Sequence, residues 1–171
     1  MEKLELNKEL RTRAINNGLC AMWQKEWKED WDLDKMVSQF YRGIDFFLDK
    51  RFVSDAFIKD NFEKDFLRKN GILVDDTYSL LNPSKAILIG NSQSNIRYNN
   101  YTVSTIYIID NSKAKIIAKG HSAVIVHLLG SPQVEVEQKE HGNVLIINHS
   151  EESVIISDDG IKIKEEYDYL K

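Results

Sequence analysis

Five consecutive ten-residue units, in phase and without a gap, begin at Asn111. They read NSKAKIIAKG, HSAVIVHLLG, SPQVEVEQKE, HGNVLIINHS and EESVIISDDG. The fourth place of the unit holds Ala or Val, at Ala114, Val124, Val134, Val144 and Val154. The sixth place holds Ile or Val, at Ile116, Val126, Val136, Ile146 and Ile156. Because side chains two positions apart lie on the same face of a strand, each unit predicts one short strand with both of these side chains directed inward.

A fixed period with one inward pattern is typical of a β-solenoid, in which each unit buries its apolar face against the next. Two decapeptide half-coils would form one coil of about twenty residues. An antiparallel β-sandwich is the alternative, since strands spaced about 8 to 12 residues apart with turn signals also fit that fold. We favour the solenoid, because a sandwich does not require five units free of insertions. The helical half of the chain would then cap the first coil.

The composition changes near residue 72. All three Trp and all seven Phe residues precede residue 70, whereas all four His residues follow residue 120. We therefore predict an α+β protein with a helical subdomain over residues 1–71 and a repetitive β domain over residues 85–165. Residues 72–84 are interpreted as a linker and residues 166–171 as a tail.

Three or four helices are expected in the first half. The clearest follows Asp32, a predicted N-cap, and carries apolar residues at helical spacing from Leu33 to Leu48. Gly43 lies inside this pattern and indicates a close approach by another element. Residues 4–29 predict one long or two shorter helices, and Ser54 begins a further helix that Asn70 and Gly71 would end.

Charge and composition exclude several classes of function. A net charge of −4 gives no general field for phosphate backbones, so general nucleic-acid binding and anionic-membrane binding are disfavoured. No apolar stretch approaches the roughly 18 residues of a membrane span. The N-terminus is charged and lacks the apolar core of a secretory signal, and Cys20 is the only cysteine. These features predict a cytoplasmic protein.

Two groups of apolar residues are candidate partner-binding sites. Trp23, Trp27 and Trp31 are four residues apart and would form an aromatic ridge on a continuous helix. The alternative is that this ridge packs into the core against Phe40, Phe47 and Phe62. On the β domain, the nominally outward fifth place carries Ile125, Leu145 and Ile155, which would meet the helices or another subunit.

The histidines and the cysteine are weaker candidates. His121 and His141 occupy the same place two units apart and would stack at the strand spacing of about 4.8 Å. A metal site would add His127 or His149, but no Cys or HxH spacing supports it, and we predict no metal and no cofactor. Cys20 is interpreted as a structural residue.

Three segments carry a resemblance: GLCAMWQKEW (18–27), YRGIDF (41–46) and the stretch from VDDTYSLLN to KAILIGNS (74–92). They resemble a family of small uncharacterised bacterial proteins often carried by phages or mobile elements. Members of that family look like a helical head joined to a repetitive β tail. The resemblance implies an accessory protein that acts by binding a host or phage component, and it implies no catalytic residue.

These observations favour a non-enzymatic module for protein–protein interaction or assembly, with a protein partner or a second copy of the chain. One alternative is a phage-borne inhibitor of a host defence protein. The other is a transferase-like enzyme or small-ligand binder with a site between head and tail, where His121 or His127 would be the general base. No catalytic loop motif identifies such an enzyme.

Overall fold

The computed structural model describes residues 2–170. Its helices are α1 (Lys3–Asn16), α2 (Ala21–Glu26), α3 (Leu33–Arg42), α4 (Ile44–Lys50), α5 (Asp55–Asn61) and α6 (Lys64–Lys69). Its strands are β1 (Ile72–Val74), β2 (Leu80–Leu81), β3 (Lys85–Ile89), β4 (Gln93–Tyr98), β5 (Val103–Asp110), β6 (Lys113–Ala118), β7 (Ala123–Gly130), β8 (Gln133–Gln138), β9 (Asn143–Asn148), β10 (Val154–Ser157) and β11 (Lys162–Glu165). The chain divides into two compact units, a helical unit of residues 2–63 and a solenoid unit of residues 64–169.

Helices α1 to α5 form the helical unit around a small apolar core that includes Leu6, Ala14 and Phe47. The pattern from Leu33 to Leu48, which predicts one helix, is divided into α3 and α4 at Gly43. A Cβ atom at Gly43 would lie 3.3 Å from the ring of Trp23, so the predicted close approach at this glycine is confirmed.

Six short helices therefore occupy the region where the pattern predicts three or four. Asn17 and Gly18 separate α1 from α2. The helix expected from Ser54 to Asn70 is also divided, because Phe62 is extended and ends α5 before α6 begins.

The predicted N-cap of α3 is confirmed, since the Asp32 Oδ1 atom accepts a hydrogen bond of 2.7 Å from the Lys35 amide. We expect Asp32→Ala to lower the free energy of unfolding of the helical unit by about 1 kcal/mol, because this amide then loses its partner. Chemical denaturation would measure the change. Asp32→Asn is the matched control and should retain most of the stability, since asparagine caps helices about as well.

The solenoid unit consists of two parallel sheets. One has the strand order β1-β3-β5-β7-β9-β11 and the other the order β10-β8-β6-β4-β2. Successive strands of the chain alternate between the sheets, so each coil contributes one strand to each. We call them the six-stranded and the five-stranded sheet. The predicted β-solenoid is confirmed, and the antiparallel sandwich is excluded because the strand pairs are parallel.

A regular coil contains twenty residues. Gln93 lies beside Lys113, and Lys113 lies beside Gln133. In the other sheet Val103 lies beside Ala123, which lies beside Asn143. Equivalent side chains therefore stack in columns along the solenoid, and the inward columns form its core.

The inward pattern holds in the first four units and fails in the fifth. The fourth- and sixth-place side chains are buried from Ala114 to Ile146, but Val154 and Ile156 are 51% and 64% exposed. The reason is a slip of one residue, since β10 pairs with β8 so that Ile155, not Val154, lies beside Val134. Because alternate side chains point to opposite faces, the slip reverses the faces of the whole strand.

Residues 72–84, interpreted as a linker from the sequence, contain β1 and β2, which pair with β3 and β4. Helix α6 also belongs to the solenoid unit and packs against β1. Between α6 and β1, Gly71 has a φ of +70°, and a Cβ atom there would lie 2.4 Å from the Lys85 carbonyl oxygen. Because glycine has no Cβ atom and tolerates a positive φ, the chain can pass close to Lys85 as it leaves α6 and enters the first coil.

A buried carboxylate fixes α6 to the first coil. The side chain of Asp76 is 6% exposed and accepts hydrogen bonds from Arg68 Nε at 2.8 Å and Arg68 Nη2 at 3.1 Å. Lys64 Nζ lies 2.8 Å from the same carboxylate. Burial raises the pKa of the Asp76 carboxyl, but the hydrogen bonds from Arg68 and Lys64 outweigh it, so the pKa is lowered.

Among the described residues, no helix combines the length and the apolar character that a bilayer span requires.

Candidate functional site

The tryptophans do not form one helical ridge. Helix α2 ends at Glu26, so Trp27 occupies its C-cap and Trp31 lies in the following segment. All three side chains are half-buried. The rings of Trp27 and Trp31 are nevertheless stacked, with centroids 5.2 Å apart, and the guanidinium of Arg42 lies 4.7 Å from the ring centre of Trp23.

A buried asparagine holds the segment that carries these rings. Asn7 of α1 is 1% exposed, and its Nδ2 donates to the carbonyl oxygens of Lys28 at 2.9 Å and Glu29 at 2.8 Å. Its Oδ1 accepts a hydrogen bond of 2.6 Å from the indole Nε1 of Trp27. Because both the nitrogen and the oxygen of its side-chain amide are hydrogen-bonded, Asn7 fixes this segment against α1. Sequence reasoning missed Asn7, because its partners are twenty or more positions away along the chain.

The tryptophan segment borders a surface groove of about 700 Å³, which we call the cationic groove. Helix α2 supplies Met22, Lys25 and Glu26, and the segment after α2 supplies Lys28 and Trp31. Helix α3 supplies Lys35, Gln39 and Arg42 at the spacing of one helix face. Four cationic side chains and one carboxylate thus line a groove in a chain whose net charge is negative.

Among the described residues, one of the four cations of the groove forms an ion pair, and three do not. Glu26 binds Arg42 at 2.7 Å, which compensates one cation. Within residues 2–170, the ammonium groups of Lys25, Lys28 and Lys35 form no ion pair; Lys35 lies 5.9 Å from the ring centre of Trp31. Next to these charges Met22 is 59% exposed. The groove therefore combines an apolar contact surface with three lysines that form no ion pair among the described residues.

On the solenoid, the three fifth-place residues lie in two different sheets. Ile125 and Leu145 lie side by side on the outer face of the six-stranded sheet, where Ile125 is 36% exposed. Ile155 belongs to the five-stranded sheet and is partly buried against the core. The expectation of one shared outer side is wrong for Ile155, because β10 belongs to the other sheet and the slip turns the Ile155 side chain inward.

Stacked aromatic rings form two ladders along the solenoid. At one corner His121 lies between Tyr101 and His141, with centroid distances of 4.7 and 4.8 Å. The second ladder, which we call the tail ladder, runs from Tyr107 through His127 and His149 to Tyr169. The predicted stacking of His121 on His141 is thus confirmed, and the other two histidines lie in a separate group.

Hydrogen bonds link the tail ladder to the C-terminal residues. His127 Nδ1 lies 3.0 Å from His149 Nε2, and His149 Nδ1 lies 2.9 Å from the Glu166 carbonyl oxygen. Since a carbonyl only accepts, His149 Nδ1 carries a proton. When His149 is neutral, its Nε2 accepts and the proton between the rings belongs to His127. The Glu166 amide donates to the Asn148 carbonyl at 2.8 Å, so the tail is bonded on both sides.

We expect His149→Phe to loosen the tail, because phenylalanine retains the ring stack but makes neither hydrogen bond. The free energy that protects the Glu166 amide from exchange should fall by about 1–2 kcal/mol in this variant. It should fall by about 2–3 kcal/mol in His149→Ala, which also removes the ring stack. Hydrogen–deuterium exchange of a peptide covering residues 163–170 would measure this. His141→Phe in the corner ladder is the control and should leave that exchange unchanged. Equal exchange in all four proteins would contradict the assigned role of His149.

The remaining candidates, two histidines and the cysteine, lie in different places. His121 is stacked on both faces, and His127 directs Nδ1 at His149. Among residues 2–170, no group of three or more His, Cys, Asp or Glu side chains is arranged to hold a metal ion. Cys20 is exposed and has no disulfide partner in the chain.

No protein-family model, curated protein or solved structure matches the chain.

Proposed function

We propose that this chain is a non-enzymatic protein-interaction module and that the cationic groove is its contact site. The observation that carries the proposal is the combination of Met22 and Trp31 with the unpaired ammonium groups of Lys25, Lys28 and Lys35. Aromatic and cationic side chains are enriched where protein interfaces concentrate their binding energy. We propose further that the protein acts in the cytoplasm as an accessory protein of a phage or mobile element, as the resemblance implies.

The groove has the rigidity that such a contact needs. Its walls are two helices, and the segment between them is held by Asn7 through three hydrogen bonds. A surface that is ordered before binding loses less conformational entropy when the partner docks. This favours recognition by the groove over a role limited to filling space in the helical unit.

A separate protein is favoured over a second copy of the chain as the partner. The last strand of the six-stranded sheet, β11, has the sequence KIKE, and charged side chains on an edge strand oppose the addition of another strand. The edge strand of the other sheet, β10, exposes Val154 and Ile156 but has only four residues. End-to-end assembly through β11 would therefore have to pair two strands that each carry charged side chains at three of four positions.

Affinity capture from source cells with the full-length chain as bait tests this function. We expect at least one protein to be retained by the wild-type chain and lost with a Met22→Ala, Trp31→Ala double variant. Lys3→Ala, outside the groove, is the control bait. Reconstitution of the complex from the two purified proteins completes the test. Absence of any protein that distinguishes the wild-type bait from the groove variant would overturn the proposal.

A further inference from the structure

We propose that the cationic groove binds a short acidic segment of a partner protein, with an apolar side chain of that segment seated on Met22 and Trp31. This inference rests on the proposed function and specifies the chemistry of the partner. It follows from the charge, the size and the surroundings of the groove.

The charge of the groove selects an anionic ligand. Lys25, Lys28 and Lys35 all line the groove and come from α2, the following segment and α3, so three elements contribute ammonium groups to a ligand bound there. Arg42 is held by Glu26 and by the face of Trp23. It therefore supplies a fixed wall, whereas the three lysines remain available to a ligand.

The size of the groove suits a short segment. The groove is open and has a volume of about 700 Å³, so it has room for a few residues of a peptide and not for a folded domain. Met22 and Trp31 lie among the charged residues, and they offer one apolar contact within a mainly electrostatic site. An extended peptide that alternates carboxylates with a Leu or Phe side chain matches this arrangement.

The surroundings disfavour nucleic acid as the ligand. Three acidic residues, Glu29, Asp30 and Asp32, stand in the segment that links the two walls of the groove, and Asp34 lies in the first turn of α3. A phosphate backbone that continued beyond the groove would meet these carboxylates, and the chain as a whole has a net charge of −4. A nucleic-acid site instead requires positive charge along the path of the backbone.

Selection from a displayed library of random octapeptides on the immobilised full-length protein tests this inference. We expect the selected peptides to be enriched in Asp and Glu around a Leu, Phe or Trp. Their dissociation constants should rise about tenfold or more in a Lys25→Glu, Lys35→Glu variant and should rise with added salt. The control is a Lys3→Glu, Lys50→Glu variant, which makes the same change in net charge outside the groove. Thermal unfolding of both variants establishes that they are folded.

The outcomes separate this inference from the proposed function. Selected peptides without acidic residues, or acidic peptides that bind both variants equally, would overturn the assignment of an acidic partner while leaving a protein-interaction role in place. The acidic partner would also be overturned if no peptide were selected and a captured partner protein bound the Lys25→Glu, Lys35→Glu variant as well as the wild type. The protein-interaction role would again remain in place. Tight binding of a twelve-nucleotide single-stranded DNA that is lost in the groove variant would replace the acidic peptide with nucleic acid.

Discussion

Ile146→Ala is expected to lower the free energy of unfolding of the solenoid by about 2–5 kcal/mol, whereas Ile156→Ala changes it by no more than about 0.5 kcal/mol. The two residues occupy the same place in consecutive repeat units. Ile146 is completely buried, and its truncation leaves a cavity in a close-packed core. Ile156 is 64% exposed because of the register slip, so its truncation removes little contact.

Urea denaturation followed by far-ultraviolet circular dichroism would measure both changes. Ile116→Ala, at the same place three units before Ile146, is a second buried reference and should behave like Ile146→Ala. A large loss at Ile156 would show that the fifth unit continues the regular pattern and that the slip is absent.

Asp76→Asn is expected to destabilise the first coil by about 2 kcal/mol. The substitution leaves Arg68 and Lys64 without the carboxylate that both of them bind. Hydrogen bonds to charged groups contribute about 1.5–3 kcal/mol each, but both cations retain access to water and recover part of the loss. Asp159→Asn, at an exposed position, is the control and should leave stability nearly unchanged.

The contribution of Asp76 depends on pH in a direction set by its lowered pKa. The unfolded chain binds a proton at this carboxyl at a higher pH than the folded chain does, so acid favours unfolding. The contribution is fully present above the ordinary carboxyl pKa of 3.8 and is lost as the pH falls through the lowered value of the folded state. Unfolding measured between pH 7 and pH 2 should show the wild type and Asp76→Asn converging at the acidic end. A constant difference would contradict the assigned ion pair.

The repeat predicted the solenoid because the features that produce this fold can be seen within single repeat units. Side chains two apart share one strand face, and a constant unit length places equivalent residues in columns. The pattern could not predict the slip at Val154, since Val154, Ile155 and Ile156 are all apolar and satisfy either register. The register of β10 depends on how many residues the corner before it takes up, which the apolar pattern does not determine.

The candidate site was predicted only in part. Trp31 lines the proposed groove, but the pattern extended the helix of the tryptophans past Glu26, where the helix ends and the following segment is held by Asn7. The cationic wall from α3 was missed, because a run of charges on a helix is ordinarily a solvated face. The spacing of Lys35, Gln39 and Arg42 places them on one face of α3. It indicates the wall of a groove only once the position of α2 is known.

The twenty-residue period of the regular coils makes the length of this solenoid a countable property. Residues 111–130 form one complete coil, and their neighbours on both sides repeat the same columns of side chains. Duplication of this stretch would lengthen the solenoid by one strand spacing of about 4.8 Å, and its removal would shorten it equally, without altering either end. Selection could thus adjust the length of the molecule in discrete steps by gain or loss of sixty nucleotides of coding sequence.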